Sequence, residues 1–176
     1  MAKMIPSMIN INVKSRAEKR LFSIFSKAAH TDDWIVFHSL GLANHEFKRR
    51  GEIDFLVLCP RGIFVLEVKG GRIACSNGVW TTTDRYDNTV VLKESPFEQA
   101  SSAMFSLEKK LRERLAEHKW IFRIVFGYGV MFPNVKSEYD FGSTSDTKLI
   151  YTEQNTHKPI SMYIGKIAGF FEEKKT

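Results

Sequence analysis

The sequence predicts a mixed α/β fold, a central sheet flanked by helices, and three observations predict it. Helical and strand-like apolar patterns follow one another in the order α, β, β, β, hairpin, α, β, with a small strand-and-helix addition at the end. At 176 residues, 43% hydrophobic and 12% aromatic, the chain can fill one sizeable core and fits a single domain. Two neighbouring apolar runs, Gly51–Leu58 and Ile63–Lys69, read as core strands although each holds ionisable side chains. The expected plan is an N-terminal extension over residues 1–14, a core over 15–133 and a C-terminal addition to the same domain over 134–176.

Each element has its own warrant. Ala17, Leu21, Ile24, Phe25 and Ala28 recur at helical spacing and predict a first helix from about Ser15 to Ala29. A strand is expected at Trp34–Leu40, then a polar loop from His45 to Arg50, then the two acidic strands joined by the turn Cys59-Pro60-Arg61-Gly62. Gly70-Gly71 breaks the second of them. Arg72–Ser76 and Val79–Thr83 form a hairpin around Asn77-Gly78, since both turn residues tolerate positive φ. Val90-Val91-Leu92 reads as a short strand. Ser95-Pro96-Phe97-Glu98 opens the longest helix, with Ser as N-cap, Pro in the first turn and Glu closing a capping box. Its apolar stripe is Phe97, Ala100, Met104, Leu107, Leu111 and Leu115. A strand is expected over Ile121–Phe132, loop over Asn134–Thr147, a short strand at Leu149–Tyr151, a helix at Ile160–Phe171 and a frayed tail from Glu172.

The formal charge of +6 favours polyanionic partners, nucleic acid foremost. Lys48-Arg49-Arg50 abuts the first acidic strand and is well placed to meet phosphates, whereas Lys109–Arg114 reads as a solvated helix face. Cys59 and Cys75 make neither a CxxC pair nor a disulfide framework, which fits a reducing cytoplasm, and no run is long enough for a membrane span or a signal peptide. The five histidines show no metal-ligand spacing, and the P-loop, the dinucleotide glycine fingerprint and the zinc-deaminase signature are absent. Gly127-Tyr128-Gly129 lies in a strand pattern and cradles no phosphate, and the three tryptophans read as core or sheet-edge residues.

The chemistry lies in the two acidic strands. Alternation puts Glu52 and Asp54 on one face of the first, and Glu67 and Lys69 on one face of the second. Charges inside core strands need partners or a metal. Side by side, these residues make a carboxylate cluster with an ammonium beside it, equipped to hold a hard divalent cation next to a water nucleophile. A cross-strand salt bridge between Lys69 and Asp54 is an equally good reading of the same residues. Glu18 is a third carboxylate: it either closes a capping box with Ser15 or points over the sheet edge. Gln99, in the first turn of the long helix, is either a surface glutamine or a buried amide that holds water or phosphate.

Taken together, Glu18, Gly51-Glu52-Ile53-Asp54, Phe64–Gly71, Gly78-Val79-Trp80 and Pro96-Phe97-Glu98-Gln99-Ala100 resemble the NERD (nuclease-related) domain of the PD-(D/E)XK nuclease superfamily, over roughly Ser15 to Leu115. The resemblance implies a restriction-endonuclease-like αβββαβ core and a Mg²⁺- or Mn²⁺-dependent, endonuclease-like hydrolase acting on DNA, in DNA processing or repair. It maps the metal ligands onto Asp54, Glu67 and the Val68 carbonyl, the catalytic lysine onto Lys69, the accessory acid onto Glu18 and the conserved glutamine onto Gln99. Lys48, Arg49 and Arg50 would hold flanking phosphates. Exonuclease branches of the superfamily carry a tyrosine four residues after the glutamine; Ala103 stands there, which argues against exonuclease action. Tyr128–Pro133 resembles members in which the domain precedes a helicase, so a helicase in cis or trans is an implied partner. The alternative function is a non-catalytic nucleic-acid-binding module working with such a partner.

Overall fold

The computed structural model describes residues 1–42, 51–137, 141 and 146–175. Its centre is a six-stranded mixed sheet in the order β1 (Lys3–Ile5), β2 (Ile35–Leu42), β3 (Gly51–Cys59), β4 (Gly62–Val68), β8 (Phe126–Met131), β9 (Ile150–Tyr151). β2, β3 and β4 form an antiparallel meander, while β1 pairs parallel to β2 and β8 parallel to β4 and β9. Between β4 and β8 the chain leaves the sheet, builds a separate three-stranded sheet from β5 (Arg72–Ser76), β6 (Val79–Thr83) and β7 (Thr89–Val91), and returns through the long helix α2 (Pro96–Arg114).

Helices cover both faces, so the strands bury apolar side chains on both sides. On one face α1 (Arg16–Ser26) and α3 (Ile160–Lys175) set Leu21, Phe25, Ile164 and Ile167 against Val36, Phe55, Phe64 and Leu66. On the other, Met104 and Leu107 of α2 pack on Leu56, Val65 and Phe126. A third cluster ties the small sheet to the body: Trp80 stacks on Phe141 at 5.5 Å, beside Ala100, Val130 and Phe132. Burying each of these larger side chains contributes roughly 1.5–3 kcal/mol. No helix among the described residues is long and apolar enough to cross a membrane.

Local signals behave as read at several places. Asn77 and Gly78 both have positive φ, 50° and 78°, between the paired Ser76 and Val79. The Ser95–Glu98 capping box is formed in both directions. Four expectations need correction. Residues 3–5 of the supposed extension are a sheet strand, because a short edge strand is stabilised by its neighbour β2 rather than by its own pattern. The strand expected from Ile121 begins only at Phe126; Lys119–Arg123 is a 3-10 turn, held where Arg112 donates to the Ile121 carbonyl and lies over the Phe122 and Phe126 rings. Within the expected loop and its sequel, Thr147–Leu149 and Glu153–His157 are also 3-10 turns. The tail does not fray at Glu172: Glu172 is paired to Arg61 at 2.6 Å and Lys175 donates to the Ile124 carbonyl, so α3 runs on to Lys175.

The Gly127-Tyr128-Gly129 run is explained by packing. A Cβ on Gly129 would lie 2.3 Å from the Tyr163 hydroxyl and 2.7 Å from Ile167 of α3. The Tyr163 hydroxyl is fixed there by the carbonyls of Val130 and Leu149, so it cannot retreat. Gly129→Ala is therefore expected to destabilise the fold by about 1–3 kcal/mol, read by denaturant unfolding. Gly169 of α3 is the control, since a Cβ there would meet nothing within 4 Å. Gly169→Ala should be neutral or stabilise by up to about 1 kcal/mol.

Candidate functional site

The site forms where the β3–β4 ladder opens. The last backbone pair between these strands on this side is Phe55 with Leu66. Beyond it, the Val68 N–H donates to Oδ2 of Asp54 at 2.8 Å, so a side chain replaces the missing backbone partner. Because the N–H and C=O of one strand residue leave on the same edge, the Val68 carbonyl emerges on the side of Asp54. β8 holds the other edge, since the Lys69 N–H donates to the Met131 carbonyl.

β4 and α2 set the lysine. Glu67 is buried, 4% exposed. Lys69 Nζ donates to Oε1 of Glu67 at 2.6 Å and to Oε1 of Gln99 at 3.0 Å. Gln99 lies in the first turn of α2, and the α2 cap points that turn at the end of β4. The simple Lys69–Asp54 salt bridge is therefore not what forms: Lys69 is held by Glu67 and Gln99, and Asp54 is held by backbone.

α1 brings the third carboxylate. The Ser15 hydroxyl accepts from the Glu18 N–H at 3.2 Å, which is half of a capping box. The Glu18 carboxylate does not complete it; Oε2 turns instead to Nε2 of His38 on β2 at 3.0 Å. Glu18 lies close enough to push up the protonation of both Asp54 and Glu67.

The electrostatics follow from this crowding. Burial first, and then repulsion from Glu67, pushes Asp54 up to about 8; the Val68 N–H and Lys69 pull the other way without reversing it. Burial likewise pushes Glu67 up, opposed mainly by Lys69. A carboxylate pair, Glu67 buried and Asp54 half-buried, that resists ionisation fits a divalent cation, whose charge would remove the cost of ionising both. The donor set also fits, being carboxylate and carbonyl oxygens of the kind Mg²⁺ and Mn²⁺ prefer. Among the described residues, no three His, Cys, Asp or Glu side chains form a closed metal cage. An open site of few protein ligands is the usual arrangement for Mg²⁺, which keeps waters and phosphate oxygens around it.

Of the residues singled out in the sequence, Asp54, Glu67, Val68, Lys69, Gln99 and Glu18 gather around the open end of the β3–β4 ladder. Glu52 does not join them. It is exposed opposite Gly41, because strict alternation fails around Asp54: Ile53 and Leu56 face the same cluster while Phe55 faces the opposite one. Ser39, with φ 55°, sits at that break between His38 and Leu40, which pair with Phe55 and Ile53. Lys48, Arg49 and Arg50 lie outside the described residues. His38 is the residue that spacing missed. It has no histidine partner at ligand spacing, yet it satisfies the criterion that singles out Asp54: an ionisable side chain on the inward face of a core strand.

Against known proteins, the chain matches the family model of the nuclease-related domain (NERD) over residues 14–128, about two-thirds of its length. No curated protein and no solved structure matches it. The match spans α1, the β2–β4 meander and α2, and so every residue of the gathered site. The chain belongs to the NERD, or nuclease-related domain, family.

Proposed function

We propose that this NERD domain is a Mg²⁺- or Mn²⁺-dependent nuclease that hydrolyses phosphodiester bonds in DNA, with a role in DNA processing or repair. Family membership carries the nuclease-related function. One observation supports the rest: buried Glu67 and half-buried Asp54 gather with the Val68 end of β4 at an opened ladder, beside a lysine held by Glu67 and the Gln99 amide.

Asp54, Glu67 and the Val68 carbonyl would hold the cation. When bound, it would polarise the scissile phosphate and lower the pKa of a coordinated water. The remaining work falls to side chains already in place. Glu67 and Gln99 fix Nζ of Lys69, which would orient the attacking water or meet negative charge growing on phosphate oxygens. Glu18 would order water on the α1 side. Lys48, Arg49 and Arg50 would bind flanking phosphates without reading sequence.

The deciding experiment is plasmid nicking with Mg²⁺ or Mn²⁺, run beside metal affinity and melting temperature. Lys69→Ala should lose cleavage by about 10²-fold or more while still binding metal. Glu67→Ala and Asp54→Ala should lose both cleavage and the rise in melting temperature with metal. A folded Lys69→Ala variant that cuts at the wild-type rate would remove the lysine from the reaction. A wild type that binds DNA but never cuts, across both metals and both DNA and RNA substrates, would leave the non-hydrolytic binding module in its place.

The pH dependence has a fixed sign. Asp54 titrates near 8 in the folded protein against an ordinary value of 3.8, so between these values the folded state binds a proton that the unfolded chain has released. Its contribution to metal-free stability is thus full below about 4 and is lost as pH rises through about 8, by on the order of a few kcal/mol. Thermal melts in chelator from pH 5 to 9 should fall more steeply for wild type than for Asp54→Asn. The stabilisation by Mg²⁺ should grow over the same range, because metal binds the ionised pair.

Replacing Lys48, Arg49 and Arg50 together with Ala should weaken DNA binding and flatten its dependence on salt, by a slope of up to about 3. Unchanged affinity and slope in filter binding would place the phosphate contacts elsewhere.

A further inference from the structure

We propose that His38 is a positioning residue for the nuclease site, acting through Glu18: its imidazole fixes the carboxylate in the orientation that faces Asp54 and Glu67. The inference rests on the nuclease reading above and assigns a role to a residue that the reading does not use. Three observations carry it. First, the partner choice of Glu18 is unusual. Ser15 offers a ready capping box at the start of α1, and the Glu18 N–H already takes the Ser15 hydroxyl, yet the carboxylate turns away to His38. Second, the imidazole is immobilised. Its side chain is 1% exposed, with its ring 4.8 Å from that of Phe55 and edge-on to Phe22 at 5.5 Å. A donor locked in this way restricts the carboxylate it holds far more than a surface side chain would. Third, the contact is one-sided. His38 engages Oε2, and Oε1 has no hydrogen-bond partner among the described residues. The Glu18 side chain is itself 20% exposed, so that oxygen remains available to water or cation at the edge of the site.

The placement of His38 also links two elements that otherwise meet through apolar contacts. α1 supplies Glu18, and β2 supplies the imidazole opposite Phe55, one residue after Asp54 along β3. The His38–Glu18 contact therefore ties α1 to β2, the strand paired with the one that carries Asp54. Ligating or water-ordering carboxylates are commonly held by such outer partners, whose loss costs about 10–100-fold in metal affinity or activity.

The test compares wild type with His38→Leu, His38→Gln, Glu18→Ala and the His38→Leu/Glu18→Ala double variant. Mn²⁺ affinity is measured by calorimetry, cleavage by plasmid nicking, and folding by metal-free melting temperature. His38→Leu keeps the apolar bulk against Phe22 and Phe55 and should weaken Mn²⁺ binding and cleavage by about 10-fold or more. His38→Gln, which can still donate to Oε2, should recover most of both. In the Glu18→Ala background the Leu substitution should cost nothing further, because its effect runs through Glu18. The proposal is overturned if His38→Leu binds Mn²⁺ and cuts like wild type, or if its loss persists undiminished without Glu18. It is also overturned if Gln restores the melting temperature but neither metal affinity nor cleavage. If wild type binds Mn²⁺ but cuts nothing, the nuclease reading fails, while a His38→Leu loss of affinity rescued by Gln still upholds the positioning role.

Discussion

The structure turns on one costly arrangement: a buried carboxylate, a half-buried one and a half-buried lysine gathered at the place where a β-ladder stops. Inside a continuous sheet, the Val68 N–H would meet a backbone carbonyl of β3. Here it meets the Asp54 carboxylate. The substitution satisfies the amide but brings a charge into the sheet, next to Glu67 and within reach of Glu18. An unpaired buried charge costs several kcal/mol, so the free protein relieves it by keeping a proton on Asp54 up to about 8. The same crowding that makes the site reluctant to ionise is what the cation of the proposed function would relieve. The opening of the ladder thus creates both the electrostatic strain and the space in which it can be relieved.

Everything around that point holds it rigid. α1 and α3 on one face and α2 on the other pack the apolar residues of β3 and β4 from both sides, which anchors the strands that lead into the site. The capped first turn of α2 delivers Gln99 to Lys69. That contact has a consequence for reactivity. Without it, the flexible four-carbon stem of Lys69 would let Nζ settle between both carboxylates and neutralise the pair, the ordinary structural salt bridge. Shared between Glu67 and Gln99, Nζ pairs directly with one carboxylate and only partly offsets the crowding at Asp54, which keeps its raised protonation. The close packing of α3 on Gly127 and Gly129 steadies β8, whose Met131 carbonyl takes the Lys69 N–H.

Much of this was legible in the sequence, and the boundary of legibility is physical. Asp54, Glu67 and Lys69 stand out because charge inside an apolar strand is visible in a linear pattern. The Asn77-Gly78 turn and the Ser95 capping box are visible because their energetics are local. What escaped depends on contacts between distant residues. β1 is three residues long and exists only through β2. The apolar run after Trp120 carries no breaker, and only Arg112, from the preceding helix, shows why its first part coils. Residues 172–175 read as a charged tail until Arg61 is seen to meet Glu172. Strict alternation would group Glu52 with Asp54, and it fails beside Ser39, the positive-φ residue of the neighbouring strand.

His38 and Glu18 sharpen the same lesson about how a carboxylate's role is decided. The Ser15–Glu18 spacing is a capping signal, and the backbone half of that signal is obeyed. The side-chain half is overridden by a partner 20 residues away on β2. A capping-box bond contributes on the order of 1 kcal/mol, comparable to one more hydrogen bond elsewhere, so local preference alone cannot decide where the carboxylate goes. A partner in the dry interior wins because there the alternative is worse. Leaving the buried imidazole without its carboxylate would cost more than leaving the N–H of the half-buried N-cap Ser15 to water, which can satisfy it. The buried histidine therefore dictates the direction of Glu18, and that direction adds a third carboxylate to a site that already holds two. An arrangement that raises the cost of the metal-free state in this way is difficult to account for as stabilisation of the fold. It accords with the cation site of the proposed function, which would use all three carboxylates.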